Sequence, residues 1–82
     1  MKFKIYSKVG CSSCQQAKAF LDTKGMSYEY LMLGKDYQMS DFIEAAQGNT
    51  HKTFPLIVHA GDGVESYIGG LHQLQQILGG SD

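Results

Sequence analysis

The chain has only two cysteines and one proline in 82 residues, and no charge of one sign dominates, the net charge being -1. Each scarcity removes a class of protein. Two cysteines cannot build the disulfide framework of a small secreted domain, so the fold must rest on ordinary packing. A nearly balanced charge offers no basic patch for nucleic acid or for an anionic membrane surface, and neither partner is expected. No run approaches the roughly 18 apolar residues of a membrane span. Met1-Lys2 leads straight into Phe3-Lys4-Ile5-Tyr6, without the apolar segment and cleavage site of a signal peptide. A cytoplasmic protein is therefore expected.

The composition that remains, 43% hydrophobic and 18% charged, suits a compact fold rather than a disordered chain. The length suits one domain spanning residues 1–82, with a small core. No internal repeat or low-complexity segment is visible, and the ten glycines fall mostly where turns are expected.

Both cysteines lie in Lys8-Val9-Gly10-Cys11-Ser12-Ser13-Cys14, where a strand pattern gives way to a helical one. The C-x-x-C spacing lets two thiols close a small ring, and a sulfur at a helix start lies near unpaired backbone N–H groups. A free cysteine has a pKa of about 8.5, which a helix N-terminus, a cation or a C-x-x-C partner lowers to roughly 3.5 to 7.5. Cys11 should be nearer solvent and act as the nucleophile; Cys14, one turn further in, should resolve. Two alternatives stay open. A staple across so short a loop would stabilise the fold weakly. A zinc site needs four ligands, yet no second C-x-x-C or H-x3-5-H pair is present, and His51, His59 and His72 are scattered.

Periodicity places the elements. Lys2 to Ser7 alternates Phe3 and Ile5 with Lys4 and Tyr6, a strand with one face more buried than the other. Ser12 to Lys24 sets Cys14, Ala17 and Leu21 on one helical face, with Phe20 beside them, and Gly25 ends it. Ser27 to Leu33 reads as a second strand, parallel to the first. Met39, Phe42, Ile43 and Ala46 mark one face of a short helix capped by Asp36, Ser40 or Asp41, the last having capping-box spacing with Glu44, and closed by Gly48-Asn49. Leu56 to His59, the turn Gly61-Asp62-Gly63 and Glu65 to Ile68 form a hairpin. Gly69-Gly70 breaks the strand, and Leu71, Leu74, Ile77 and Leu78 line a last helix before a frayed tail from Gly79 to Asp82. The order is β-α-β-α-β-β-α.

In these residues the chain resembles the glutaredoxins, small members of the thioredoxin fold. Lys8 to Cys14 is similar to the family's K-x-x-C-P-Y-C, Thr53-Phe54-Pro55 to its T-V-P, and Ile68-Gly69-Gly70-Leu71 to its I-G-G-x-D-D, in the same order along nearly the whole chain. The resemblance implies an α/β thioredoxin-like fold, with a four-stranded mixed sheet flanked by three helices and Pro55 in the cis form facing the cysteines. It implies glutathione as reducing co-substrate. Phe54 would pair its backbone with the glutathione cysteine as an added strand. Lys8 would meet a glutathione carboxylate, and Lys52 would hold another as a point charge rather than a bidentate fork. Thr53 would wall the site, while Gly69, Gly70 and Leu71 would offer N–H groups to the γ-glutamyl carboxylate.

The departures from the family pattern also carry expectations. Ser12 replaces a proline and leaves a hydroxyl near the thiolate, and Ser13 replaces an aromatic cover, which opens the cleft. His72 and Gln73 replace acidic residues near the glutathione ammonium group, which weakens tight glutathione binding. The activity implied is a dithiol oxidoreductase that reduces protein disulfides and glutathionylated proteins, acting as a monomer. Two other readings stand beside it. One is a thioredoxin-like electron donor, for instance to ribonucleotide reductase, recharged by a flavoprotein reductase. The other is a binding module in which Cys11 of two chains and two glutathiones hold a 2Fe-2S iron-sulfur cluster; otherwise no bound metal is expected.

Overall fold

The computed structural model describes residues 2–79. Met1 and, from the tail expected to fray, Gly80, Ser81 and Asp82 lie outside the described residues. The elements are β1 (Lys2–Ser7), α1 (Ser12–Thr23), β2 (Tyr28–Met32), α2 (Met39–Ala45), β3 (Leu56–Gly61), β4 (Val64–Gly69) and α3 (Leu71–Leu78), the order expected. They build one mixed sheet in the order β2-β1-β3-β4. β1 and β2 run parallel, Phe3 opposite Tyr28 and Ser7 opposite Met32, because α1 carries the chain back between them. β1–β3 and β3–β4 are antiparallel.

The sheet is covered on both faces. On one, Phe3, Ile5 and Ile57 pack with Ala17 and Leu21 of α1 and Leu74 of α3. On the other, Tyr6, Leu56 and Val58 pack with Tyr37 and with Phe42, Ala45 and Ala46 at α2. Leu56, Ile57 and Val58 are therefore fully buried in succession, as a central strand between two helical layers requires. Tyr6 departs from the expectation. Its alternation with Lys4 suggested a more exposed face, but α2 covers that end of the sheet and Tyr6 is buried edge-on against Tyr37.

The helix ends follow from local chemistry. After α1, Gly25 takes a left-handed φ of 70°, the Gly25 N–H donates to the Asp22 carbonyl, and the Met26 N–H donates to the Leu21 carbonyl. This pair of bonds satisfies the last carbonyls and turns the chain into β2. The α2 cap is none of Asp36, Ser40 and Asp41, the three residues expected to supply it. Gln38 is the N-cap, and its N–H donates to Asp41 Oδ2 at 2.9 Å, so Asp41 closes the first turn instead of starting it. The far end comes early, since Gln47, with φ 54°, leaves the helical path before Gly48. With α2 so short, its packed face is Phe42, Ala45 and Ala46, an i, i+3, i+4 set. Met39 and Ile43, expected on that face, point outward, Ile43 being 66% exposed. In α3 Leu74 is the buried anchor, whereas Ile77, expected to line the core, is 60% exposed.

The hairpin turn is tighter than expected. Gly61 pairs with Val64, which leaves Asp62 and Gly63 as a two-residue loop with φ 54° and 78°. Two positive values in succession fit the right-handed twist of the strands, and Asp-Gly is the sequence that adopts them readily. Ile57 pairs with Gly69 while Val58 pairs with Tyr67, so Ile68 is an extra residue in β4. Gly69, expected to end that strand, still pairs within it, and Gly70 is the N-cap of α3.

Candidate active site

Cys11 and Cys14 are joined by a disulfide, with their Cα atoms 5.3 Å apart. Cys11 is the extended N-cap of α1, and its Sγ accepts the Cys14 N–H at 3.1 Å. Sulfur here replaces the oxygen of an ordinary cap and sits at the positive end of the helix. Once the disulfide opens, that N–H and the helix end favour negative charge on Cys11. Cys11 retains 8% exposure and Cys14 none, so the inner sulfur is sealed by the α1 face that also buries Ala17 and Leu21. Ser13, beside Cys14 in the first turn, is half-buried.

The loop that carries Cys11 is anchored from below. Ser7 is fully buried and its hydroxyl donates to the Leu31 carbonyl at 2.7 Å. The Ser7 carbonyl accepts both the Leu33 N–H at 3.0 Å and the Tyr37 hydroxyl at 2.7 Å. Burial pushes the Tyr37 phenol up to about 12, with the neighbouring Tyr6 adding to the shift. Beyond this anchor Lys8 turns over the Phe54 ring, its Nζ 5.1 Å from the ring centroid. The loop before α1 is thereby brought to the segment before β3. A separate hollow between the loop, α1 and β2 is lined by Lys8, Val9, Gly10, Gln15, Lys18 and Tyr30. Among the residues implicated by sequence, only Lys8 belongs to it.

The Phe54–Pro55 peptide bond is cis and Pro55 is buried. Phe54 is half-buried and packs on Phe42 with ring centroids 4.8 Å apart, while Lys52 and Thr53 are exposed. Gly70 lies against this loop, for a Cβ added there would be 3.5 Å from the Pro55 carbonyl oxygen. Gly69 has φ 131°, a conformation that side chains rarely adopt, and Gln73 lies directly over it. Gln73 Oε1 also accepts the Gly70 N–H at 2.9 Å, so that donor already has a partner within the chain. Leu71 is half-buried, and exposed His72 lies 3.2 Å from Gln76 on the surface of α3.

Three contributors were not found from the sequence. His51 sits between Tyr67 and Pro55, its Nδ1 2.7 Å from the Tyr67 hydroxyl and its Nε2 3.1 Å from the Pro55 carbonyl. Gln47 uses its side-chain amide on β4, donating to the Glu65 carbonyl and accepting the Tyr67 N–H. Tyr37 is the third. The one signal for His51 was its nearness to Thr53-Phe54-Pro55 in sequence. His59 packs against Phe3 on another part of the sheet, and among the described residues no three His, Cys, Asp or Glu side chains gather at one point.

A C-x-x-C disulfide at the N-terminus of the first helix, on a sheet of this topology flanked by three helices, defines a thiol-disulfide oxidoreductase of thioredoxin-like fold. Comparison with known proteins narrows the class. The family model for glutaredoxins matches residues 3–64. The chain belongs to the glutaredoxin family. The crystal structure of glutaredoxin 1 from Francisella tularensis, complexed with cacodylate, superposes with a TM-score of 0.65 at 26% identity, covering 95% of this chain and 96% of that one. Hybrid peroxiredoxin hyPrx5 of Haemophilus influenzae is 36% identical over 78 residues. That match takes in 95% of this chain and 25% of the relative, so the chain spans about a quarter of that protein's length.

Proposed function

We propose that the protein reduces glutathionylated proteins and protein disulfides at the expense of glutathione. The observation that carries this reading is the unequal placing of the two sulfurs: Cys11 caps the helix and keeps contact with solvent, while Cys14 is sealed. In the dithiol form the Cys11 thiolate attacks the glutathione sulfur of a mixed disulfide, and the substrate protein leaves as a thiolate that takes a proton from water. A second glutathione then attacks the Cys11 mixed disulfide and departs as oxidised glutathione. Alternatively Cys14 gives up its proton, attacks Cys11 and releases glutathione, leaving the disulfide seen here. Lys8, Ser13, Lys52, Thr53, Phe54, Pro55, Gly69, Gly70, Leu71 and His72 form the glutathione side of the site in this reading. The backbone of Phe54 receives the tripeptide as an added strand.

The test compares Cys11→Ser with Cys14→Ser in a glutathione and glutathione-reductase assay on a glutathionylated peptide. Cys11→Ser should be inactive and Cys14→Ser should still turn over. The reverse pattern would exchange the two sulfurs' parts, and turnover driven by thioredoxin reductase but not by glutathione would favour the thioredoxin-like donor. A coloured dimer after anaerobic reconstitution with iron and sulfide would favour cluster binding through Cys11.

The likeness to a segment of a hybrid peroxiredoxin supports a second reading, in which the substrate is the oxidised cysteine of a peroxiredoxin. Hydrogen-peroxide-dependent consumption of glutathione by a peroxiredoxin, present only when this protein is added, is the expected result.

A further inference from the structure

His51 occupies a seam between three parts of the site. Its Nε2 faces the Pro55 carbonyl at 3.1 Å, its Nδ1 faces the Tyr67 hydroxyl at 2.7 Å, and a Cβ on Gly70 would lie 3.9 Å from its Cε1. The Pro55 carbonyl can only accept, so Nε2 donates to it, and Nδ1 shares a hydrogen bond with the Tyr67 hydroxyl, which can take either role. One neutral tautomer thus satisfies both partners. The ring is held in place by Tyr67, edge-on with centroids 5.6 Å apart, and by Phe42, tilted at 5.9 Å. Phe42 is also the ring on which Phe54 packs. Tyr67 is itself fixed, since its N–H donates to Gln47 Oε1. A chain of contacts therefore runs from the edge strand β4 through one imidazole to the loop that precedes β3.

We infer that His51 is a positioning residue for thiol-disulfide exchange: by donating to the Pro55 carbonyl, it sets the Phe54 backbone that receives the substrate's peptide segment. The inference rests on the reading that substrate docks on Phe54 as an added strand, and it applies to any peptide disulfide. An added strand needs its donor and acceptor at fixed spacing, so a loop that drifts loses substrate affinity before it loses chemistry at Cys11.

The test divides the two bonds of the ring. Asparagine places an amide near the Nδ1 position and keeps the Tyr67 contact only, whereas glutamine reaches the Nε2 position and can donate to Pro55. Pre-reduced wild type, His51→Asn and His51→Gln are compared in single turnover with a glutathionylated peptide and with a peptide disulfide lacking glutathione, alongside urea unfolding. For His51→Asn the half-saturating concentration should rise about threefold to tenfold on both substrates, as loss of one neutral hydrogen bond allows, with the limiting rate within about twofold. For His51→Gln it should return to within about twofold of wild type. Unchanged half-saturation in His51→Asn overturns the inference, as does a loss common to both variants that follows their unfolding midpoints. Absence of saturation by wild type on both substrates overturns it too. If wild type handles only the peptide disulfide, the glutathione reading fails and the second substrate alone decides on His51.

Discussion

Replacing Tyr37 by phenylalanine tests whether the anchor beneath the cysteine loop works as described. The substitution removes one hydroxyl and leaves the buried ring edge-on against Tyr6. The hydroxyl's partner, the Ser7 carbonyl, also accepts the Leu33 N–H, so it is not orphaned when the hydroxyl is lost. The cost should therefore match the net worth of one hydrogen bond, about 1 kcal/mol, and not the larger penalty for a buried group left unpaired. In a chain of this size that corresponds to a fall in Tm of about 4–8 °C. Urea unfolding at pH 8 measures it directly.

Alkali supplies the second arm of the same experiment. Folded Tyr37 titrates at about 12, above the ordinary tyrosine value of 10.0. Its stabilisation is complete below pH 10, where both states hold the proton, and is lost as pH rises through 12 because the unfolded chain ionises first. Phenylalanine has no such dependence. The gap between wild type and Tyr37→Phe should be about 1 kcal/mol at pH 8 and close above about pH 10. No gap at pH 8, or a gap that stays constant to pH 12, would refute the anchoring described for Tyr37.

Gln47→Glu puts a carboxylate oxygen where an amide N–H faces the Glu65 carbonyl, and should cost about 1–2 kcal/mol in urea unfolding at pH 7, with recovery near pH 4 where the protonated acid can donate again. Gly69→Ala meets both a φ of 131° and Gln73 Cγ at 2.9 Å, so a loss of about 1–3 kcal/mol is expected in thermal melts. Gly70→Ala, with φ -103° and ordinary contact to the Pro55 carbonyl oxygen at 3.5 Å, should stay within about 1 kcal/mol of wild type. Equal losses for the two glycines would contradict the backbone argument.

The element order and the inner face of α1 were legible because they rest on periodicity: Cys14, Ala17 and Leu21 can share a helical face in only one way. Motif residues scattered along the chain also pointed to the correct family, since three short patterns in order constrain far more than one C-x-x-C. What stayed hidden were contacts set by the neighbouring layer. Tyr6 reads as the polar partner of Lys4 until α2 is placed over it. Met39 and Ile43 read as core because α2 was expected to run on to Gly48, whereas Gln47 turns away first and the packed stripe shifts to Phe42, Ala45 and Ala46. His51 carries no periodic signal at all. Its position depends on Tyr67, far along the chain, and no spacing rule links a loop histidine to a strand hydroxyl.

The bend at Gln47 bears on self-association. By engaging the Glu65 carbonyl and the Tyr67 N–H, its amide imitates one residue of a further strand and blocks that part of the hairpin's outer rim. Recruitment of another polypeptide into a ribbon, whether by swapping or as the seed of a fibril, would have to displace this plug at β4 or begin at β2 on the opposite rim. The margin left open on the hairpin side is therefore shorter than the run of β4 from Val64 to Gly69.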